Sequence, residues 1–372
     1  MNVKLKKKIF CVSSPTVRKG LTRNFTLGLL TRLFLCLILL TNPIIAFETD
    51  QYNLPPTPLA DIGAEVSDYT EENLRKAVGK INAEIVIRQN CLQNRAENCK
   101  SAEKERAKLA YLRSEDAVAR EVYKLLGAGT IPYTKSGTWM NSHEFKAQPA
   151  RYKTGYGNSI FRLFAINYLT ISATVNLYGS QFGTDKIAHI FQQGYAYYKK
   201  YQRGLNKKMS DAEAAQKAVR WGETSERTYY GTLASGVYSN ADLAANYAGM
   251  RFYQNLTHEI KLGDVTQAAI LMLKEGVWTF NENINLRESL LKPFISNHFN
   301  EALNPSKYII GLRFSVRRVV RQKSCGQWRK TFPNQTQTDF TNISQKLKLW
   351  YGEDYGFSDS KNFITIANTC FN

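Results

Sequence analysis

The chain has 372 residues, of which 43% are hydrophobic and 12% aromatic. This composition excludes an intrinsically disordered protein, because it supplies enough apolar side chain to build one large core or two. The formal net charge is +19, which favours anionic partners over cationic ones.

The first 46 residues have the composition of a secretory signal peptide. They contain eight Lys or Arg and no Asp or Glu, and the apolar run Leu33–Leu40 precedes the small residue Ala46. A basic start, a short apolar run and a small residue at the cleavage point are typical of such leaders. We predict cleavage after Ala46, with an uncleaved N-terminal anchor as the alternative. Without these eight of its 50 Lys and Arg, the chain keeps 42 against 31 Asp and Glu, a net charge of +11.

Four cysteines follow the leader: Cys91, Cys99, Cys325 and Cys370. An even number of cysteines in an exported chain indicates two disulfides. The local pairing Cys91–Cys99 and Cys325–Cys370 is the simplest of three connectivities, and four unpaired thiols are the alternative.

Residues 47–129 are predicted to form an extended linker and then a helical hairpin. The linker covers 47–69 and contains the stiff stretch Leu54–Pro58, with three prolines. From residue 70 to 129 the pattern is helical, with a second helix opening at Ser101 and a restart at Ser114. The apolar stripe of the first helix comprises Leu74, Val78, Ile81, Ile85 and Val86.

Residues 130–304 are predicted to form the main helical core, after a loop over 130–158. The apolar residues 160–178 predict a buried helix, with a transmembrane helix as the alternative. Further helices are expected from Thr184 to Tyr201, from the capping box Ser210–Glu213, from Ser239 to Leu256, over 265–280 and over 286–303.

Residues 305–372 are predicted to form a smaller basic region of α+β or irregular structure. Its segment Tyr308–Arg321 fits either a strand or a basic amphipathic helix. The predicted fold class is therefore mainly α: a helical bundle with a disulfide-tied helical hairpin and this basic C-terminal region.

Two motifs place polar side chains inside apolar helical patterns. Asp185 and His189 are four residues apart, as are Asp242 and Asn246, so each pair shares a helix face. Polar groups on a core-facing stripe are costly unless they are paired, so these four residues are expected to meet partners.

The order of these motifs along the chain resembles that of VanZ-like envelope proteins. The matching residues are Asp-Lys-x-x-His at 185–189, then Glu226, then Asp-x-x-Ala-Asn-x-x-Gly at 242–249. The resemblance covers roughly residues 160–256. VanZ-like proteins are multi-spanning membrane proteins linked to glycopeptide tolerance, whereas this chain has a single internal run long enough to span. The resemblance implies an envelope location and a shared helical core, and it implies no reaction.

The polar residues support three interpretations. They form a structural network, in which Asp242 belongs to a capping box with Ser239; or Ser239, Asp242 and Asn246 bind a ligand; or they are catalytic. In the catalytic interpretation His189 is a general base oriented by Asp185, with Glu226 nearby. We predict no metal and no cofactor, since paired metalloprotease histidines, phosphate-binding loops and dinucleotide motifs do not occur.

Arginines cluster in the C-terminal region, at Arg313, Arg317, Arg318 and Arg321. They suit an anionic lipid or a phosphate group, acidic groups elsewhere in the chain, or a solvated face. No nucleic-acid-binding module is recognisable. The sequence therefore predicts a periplasmic or otherwise exported envelope protein that binds an anionic lipid or glycan, with possible peripheral membrane contact. A periplasmic hydrolase that uses His189 is the alternative.

Overall fold

The computed structural model describes residues 48–94, 99, 101–131, 133–360 and 362–372. The leader predicted at 1–46 lies outside these residues. The described residues fold mainly into α-helices with a few short strands, which confirms the predicted mainly α class.

The amino-terminal part is a helical hairpin that continues into shorter helices. Its elements are α1 (Gly63–Asn94), α2 (Ala102–Leu112), α3 (Glu115–Val122), a π turn (Tyr123–Gly127) and α4 (Lys135–Ser142). Helix α4 lies in the predicted loop 130–158 and begins where the Thr134 hydroxyl accepts a hydrogen bond from the Gly137 amide. The Cys91–Cys99 disulfide ties the carboxyl end of α1 to the chain that leads into α2, as predicted.

The central part surrounds one fully buried helix. Its elements are α5 (Ala165–Leu169), α6 (Asp185–Ala188), a π turn (His189–Gln193), α7 (Gly194–Leu205), α8 (Asp211–Arg227) and α9 (Asn240–Asn255). All 16 residues of α9 are buried, and α7 and α8 pack against it. The predicted capping box of Ser210 and Glu213 begins α8, and Ser239 caps α9 by accepting from the Asp242 amide.

The helix predicted over 160–178 is wrong in both of its forms. Only α5 is helical there, and strand β1 (Thr174–Leu177) follows it. β1 pairs in antiparallel fashion with β2 (Ser180–Gly183), so Thr174 lies opposite Gly183. The tight turn between them at Tyr178 and Gly179, both with positive φ, ends any helical period.

Among the described residues, no helix is both long enough and apolar enough to cross a membrane.

The helices predicted over 265–280 and 286–303 are also wrong. The first region forms hairpins, from β4 (Ile260–Leu262), β5 (Val265–Gln267), β6 (Leu271–Lys274) and β7 (Val277–Phe280). Glu275 and Gly276 both have positive φ, the geometry of a two-residue hairpin turn. The second region holds only α10 (Leu286–Ser289) and two 3₁₀ turns (Lys292–Phe294, Asn297–Phe299).

The carboxyl-terminal region is helical. After β8 (Lys307–Tyr308), which pairs with β3 (Val237–Tyr238), it comprises α11 (Ile310–Val319), a π turn (Val320–Ser324), α12 (Cys325–Thr331), α13 (Gln337–Lys346) and α14 (Ile366–Cys370). The open choice between strand and helix over Tyr308–Arg321 is thus decided largely for a helix. The Cys325–Cys370 disulfide joins α12 to α14, as predicted.

Two hydrophobic clusters form the interior. The larger one contains α1, α3 and α6 to α9, with residues such as Ile187 and Leu243. The smaller one contains Tyr52, Ala302 and the apolar side of α11 to α14. The residues from Glu48 to Asn53, which belong to the predicted linker, are buried.

The two disulfides close chain segments of different length, so their removal is expected to cost different amounts. The Cys325–Cys370 bond spans 45 residues and the Cys91–Cys99 bond spans 8. Loop-closure entropy predicts a loss of about 4 kcal/mol for C325S/C370S and about 2.6 kcal/mol for C91S/C99S. Urea unfolding of both double variants measures this difference. A larger loss in C91S/C99S would contradict it.

Candidate functional site

Lys186 lies at the centre of a buried ionic cluster. Its Nζ atom is 2.7 Å from Asp185 Oδ2, 2.6 Å from Asp242 Oδ1 and 2.6 Å from Glu301 Oε1. The side chains of Lys186 and Asp185 are wholly inaccessible to solvent. Three carboxylates therefore surround the ammonium group, which donates a hydrogen bond to Asp185 Oδ2 and forms ion pairs with Asp242 and Glu301.

Hydroxyl groups donate hydrogen bonds to two of the carboxylates, those of Asp185 and Glu301. Thr49 Oγ1 donates to Asp185 Oδ1 at 2.8 Å. Glu301 accepts from Ser239 Oγ at 2.8 Å and from Ser306 Oγ at 2.7 Å, one on each oxygen. Paired and hydrogen-bonded in this way, the charges meet the conditions under which ionised groups are tolerated inside a protein.

Two further glutamates border the cluster. Glu226 Oε1 accepts a hydrogen bond from the Ser239 amide at 2.9 Å, and Glu48 Oε1 accepts one from Ser235 Oγ at 2.8 Å. Burial and the negative charge of Asp242 raise the pKa of both carboxyls well above its usual value. Both groups therefore favour the protonated, neutral form.

The pKa of Lys186 moves the opposite way from that of an isolated buried lysine. Burial by itself would lower it, but the charges of Asp185, Asp242 and Glu301 outweigh burial and raise it well above its usual value. For Glu301, burial raises the pKa despite the opposing charge of Lys186. Lys186 is thus the permanent cation of the site.

His189 lies at the edge of the cluster, with one ring nitrogen hydrogen-bonded and the other facing a carboxylate. Its Nδ1 is 2.9 Å from Asn246 Oδ1, and its Nε2 is 3.4 Å from Asp242 Oδ2. Only 6% of the residue is exposed, so the ring is largely shielded from solvent.

Two glycines of the sequence motifs allow these groups to approach each other. A side chain at Gly183 would collide with Thr49 Oγ1 and Asp185 Oδ1, and one at Gly249 would collide with the Ile190 carbonyl. The second contact brings the π turn and α9 close together near the His189–Asn246 pair. Small residues at such crossings let helix backbones pack closely.

The structure brings six of the predicted site residues together: Asp185, His189, Glu226, Ser239, Asp242 and Asn246. It changes one predicted pairing, since Asp242 rather than Asp185 contacts the His189 ring. The predicted N-cap Thr184 also differs, because its hydroxyl donates to Asn141 Oδ1.

Sequence analysis did not identify Glu48, Thr49, Glu301 or Ser306 as site residues. All four lie in irregular segments far along the chain from α6 and α9, so helical spacing gives no indication of them.

Asp185, His189 and Asp242 have potential metal-ligand atoms within 4.8 Å of one another. In the described residues, however, the Lys186 ammonium lies against both carboxylates at 2.7 and 2.6 Å. The cation held by these acids is therefore a side chain of the protein, and the arrangement does not suit a divalent metal.

The four predicted arginines lie apart from the cluster, on α11 and the π turn after it. Ile310, Phe314 and Arg318 follow at intervals of four residues, and Arg321 continues this side of the helix. We call Ile310, Arg313, Phe314, Arg317, Arg318 and Arg321 the basic face. Its apolar members are open to solvent, with 71% of Ile310 and 64% of Phe314 exposed.

No protein-family model matches the chain, and comparisons with curated proteins and with solved structures find no match either.

The raised pKa of Glu226 predicts how stability depends on pH. In the folded protein the Glu226 carboxyl keeps its proton at pH values where the same carboxyl in the unfolded chain, with its usual pKa of 4.5, releases it. Ionisation of Glu226 therefore favours the unfolded chain, and the free energy of unfolding falls as the pH rises above 4.5. Glu226→Gln removes this term and keeps the acceptor for the Ser239 amide.

Urea unfolding from pH 4.5 to pH 8 tests this. At the lowest pH, we expect the free energy of unfolding of Glu226→Gln to lie within about 1 kcal/mol of the parent value. As the pH rises, the free energy of unfolding of the variant should increase relative to that of the parent by up to about 1.4 kcal/mol for each pH unit. The exposed Glu282→Gln is the control and should follow the parent throughout. A Glu226→Gln curve parallel to the parent would contradict the assignment.

Proposed function

We propose that this chain is an exported envelope protein that docks on an anionic membrane surface through its basic face. The observation that carries the proposal is the alternation of exposed apolar and cationic side chains along one side of α11. A helix of this kind lies in the plane of a membrane interface, with its apolar residues among the acyl chains and its cations at the headgroups.

The charge around the basic face is of one sign. From residue 302 to residue 338 the sequence contains eight Lys or Arg and no Asp or Glu. Within the part of the chain that the structure describes, Arg313, Arg317, Arg318 and Arg321 form no ion pair. Of the three uses predicted for these arginines, pairing with internal acids is therefore not supported, which leaves an external anion or a solvated face; the exposed apolar residues beside them favour the first.

The apolar residues of the basic face favour lipid over glycan. A phosphorylated or sulfated glycan would engage the arginines but would leave Ile310 and Phe314 in water. A bilayer accommodates both kinds of side chain, and each basic residue near an anionic surface contributes about 1 kcal/mol of binding free energy.

Two exposed leucines lie on segments that are hydrogen-bonded near the start of α11. The Ile309 amide, just before α11, donates to the Gly236 carbonyl, and Asn167 donates to the carbonyl of Ser235. Leu233 and Leu169, two residues from Ser235 and Asn167 in the sequence, are 77% and 76% exposed.

Two disulfides suggest an oxidising, exported environment. With the predicted leader, they support a periplasmic location on the outer side of the inner membrane as part of the proposal.

Co-sedimentation with vesicles tests the docking surface. The parent should bind phosphatidylglycerol-containing vesicles, bind phosphatidylcholine vesicles weakly, and lose affinity as salt concentration rises. Reversing two charges of the basic face in R318E/R321E should weaken the free energy of vesicle binding by about 2 kcal/mol or more, which is about a thirtyfold loss of affinity. Both side chains are exposed, so the melting temperature should stay unchanged.

Two further variants make the test specific. K104E/R106E, on the exposed side of α2, changes the net charge equally and should bind vesicles as the parent does. Phe314→Ser should weaken vesicle binding but leave binding to dextran sulfate unchanged. Equal loss in both double variants would contradict the proposed surface. Full vesicle binding by Phe314→Ser would point to a polyanion instead of a bilayer.

A further inference from the structure

A second surface of the protein contains a cleft of about 480 Å³, which is the size of a small-molecule site. One wall is the proline-containing segment 54–58. The opposite wall is formed by α12 and α13, and the end by the chain around Asn297 and Leu303. The cleft shares no residue with the basic face, so a ligand bound in the cleft does not depend on membrane docking.

The walls of the cleft are held in place by hydrogen bonds. Gln327 Nε2 donates to the carbonyls of Leu54 and Pro55, at 2.8 and 3.3 Å. Trp328 Nε1 donates to the Tyr52 carbonyl at 2.7 Å. These bonds pin the proline-containing segment to α12, so the cleft is preformed in the folded protein.

The inner surface of the cleft is apolar. Phe332 stacks on Trp328 with ring centroids 5.3 Å apart, and Leu303 and Ile343 lie beside them. All four residues are at least partly buried. Aromatic and aliphatic walls of this kind suit the C–H faces of a ligand.

The rim is polar but uncharged. Gln181, Asn297 and Gln335 contribute side-chain amides, and Thr331 contributes a hydroxyl. Within the described residues, none of these four side chains makes a hydrogen bond to the rest of the protein. Amide donors and acceptors are therefore available to a ligand, as in pockets where a few polar groups fix its orientation.

No residue that lines the cleft is charged, although 22% of the chain is Asp, Glu, Lys or Arg. A phosphate, carboxylate or ammonium group would find no counter-ion here. A plain acyl chain would leave the amide rim without hydrogen bonds, which costs free energy for each polar group it shields from water.

We propose that this cleft binds a neutral oligosaccharide. The sugar rings pack their C–H faces against Phe332, Leu303 and Ile343, and their hydroxyl groups exchange hydrogen bonds with the amides of Gln181, Asn297 and Gln335. The ligand class is thus uncharged and polyhydroxylated. It differs from the anionic membrane that we propose binds to the basic face.

The cleft also adjoins the buried ionic cluster. The Gln181 carbonyl accepts from Asn300 Nδ2 and from Gln51 Nε2, both at 2.9 Å. Gln51 Oε1 in turn accepts from the Glu301 amide. The cleft therefore rests on the segment that carries Glu301 to Lys186, which gives it a rigid base.

Isothermal titration calorimetry with maltotriose, cellotriose and tri-N-acetylchitotriose tests the proposal on the purified protein. We expect saturable binding of at least one of these neutral trisaccharides. Removing two amides in N297A/Q335A should weaken binding at least tenfold, and Thr331→Trp should abolish it by placing an indole at the mouth of the cleft.

The controls separate a ligand site from a folding defect. Asn283→Ala removes an exposed amide that does not line the cleft and should bind as the parent does. The substituted cleft residues are exposed, so melting temperatures should equal that of the parent. No saturable binding of any of the three sugars, or binding unchanged in Thr331→Trp, would overturn the proposal. Binding of laurate that Thr331→Trp abolishes, without sugar binding, would assign the cleft to an acyl chain.

Discussion

The ion cluster around Lys186 is the interaction on which the rest of the fold depends, because it lies where the two hydrophobic clusters meet. Asp185 and Asp242 belong to helices of the larger cluster, whereas Glu301 precedes Ala302, a member of the smaller one. A buried ammonium or carboxylate that loses its partner costs several kcal/mol. All the contacts of Lys186 therefore form only when both hydrophobic clusters are in place, so the ionic cluster stabilises only the correctly assembled fold.

This role has consequences for function. The carboxylates that a bound cation would need already face Lys186, and the His189 ring is buried with its Nδ1 hydrogen-bonded to Asn246. The polar motifs inside the helices are thus used within the scaffold, and both proposed ligand surfaces lie outside them. The basic face and the uncharged cleft differ in chemistry. The basic face suits anionic headgroups, and the cleft suits a neutral sugar. A protein that holds both at once would keep a glycan close to a membrane.

The sequence predicted those features that depend on local spacing. Four-residue intervals placed Asp242 and Asn246 on one face of a helix, Ser239 was identified as its cap, and both disulfides paired as expected. Local spacing could not reveal that Glu301 completes the Lys186 site, since that contact joins residues more than 100 positions apart. It also failed over 265–280, where the apolar residues fit a helical period but the turn at Glu275–Gly276 produces a hairpin. The choice there depends on backbone conformation at two residues and on tertiary packing, not on periodicity.

The stability of Lys186→Met, measured by urea unfolding at neutral pH, tests the central claim most directly. The substitution keeps most of the side-chain volume and removes the charge, so three carboxylates lose their counter-ion; we predict a loss of about 3–5 kcal/mol or failure to fold. Lys199→Met is the matched control, since Lys199 pairs with Asp116 at a partly exposed site. This substitution should lower the free energy of unfolding by less than about 1 kcal/mol. If Lys186→Met were as stable as the parent, the cluster would not hold the two hydrophobic clusters together, and the buried acids would have to be retained for another purpose.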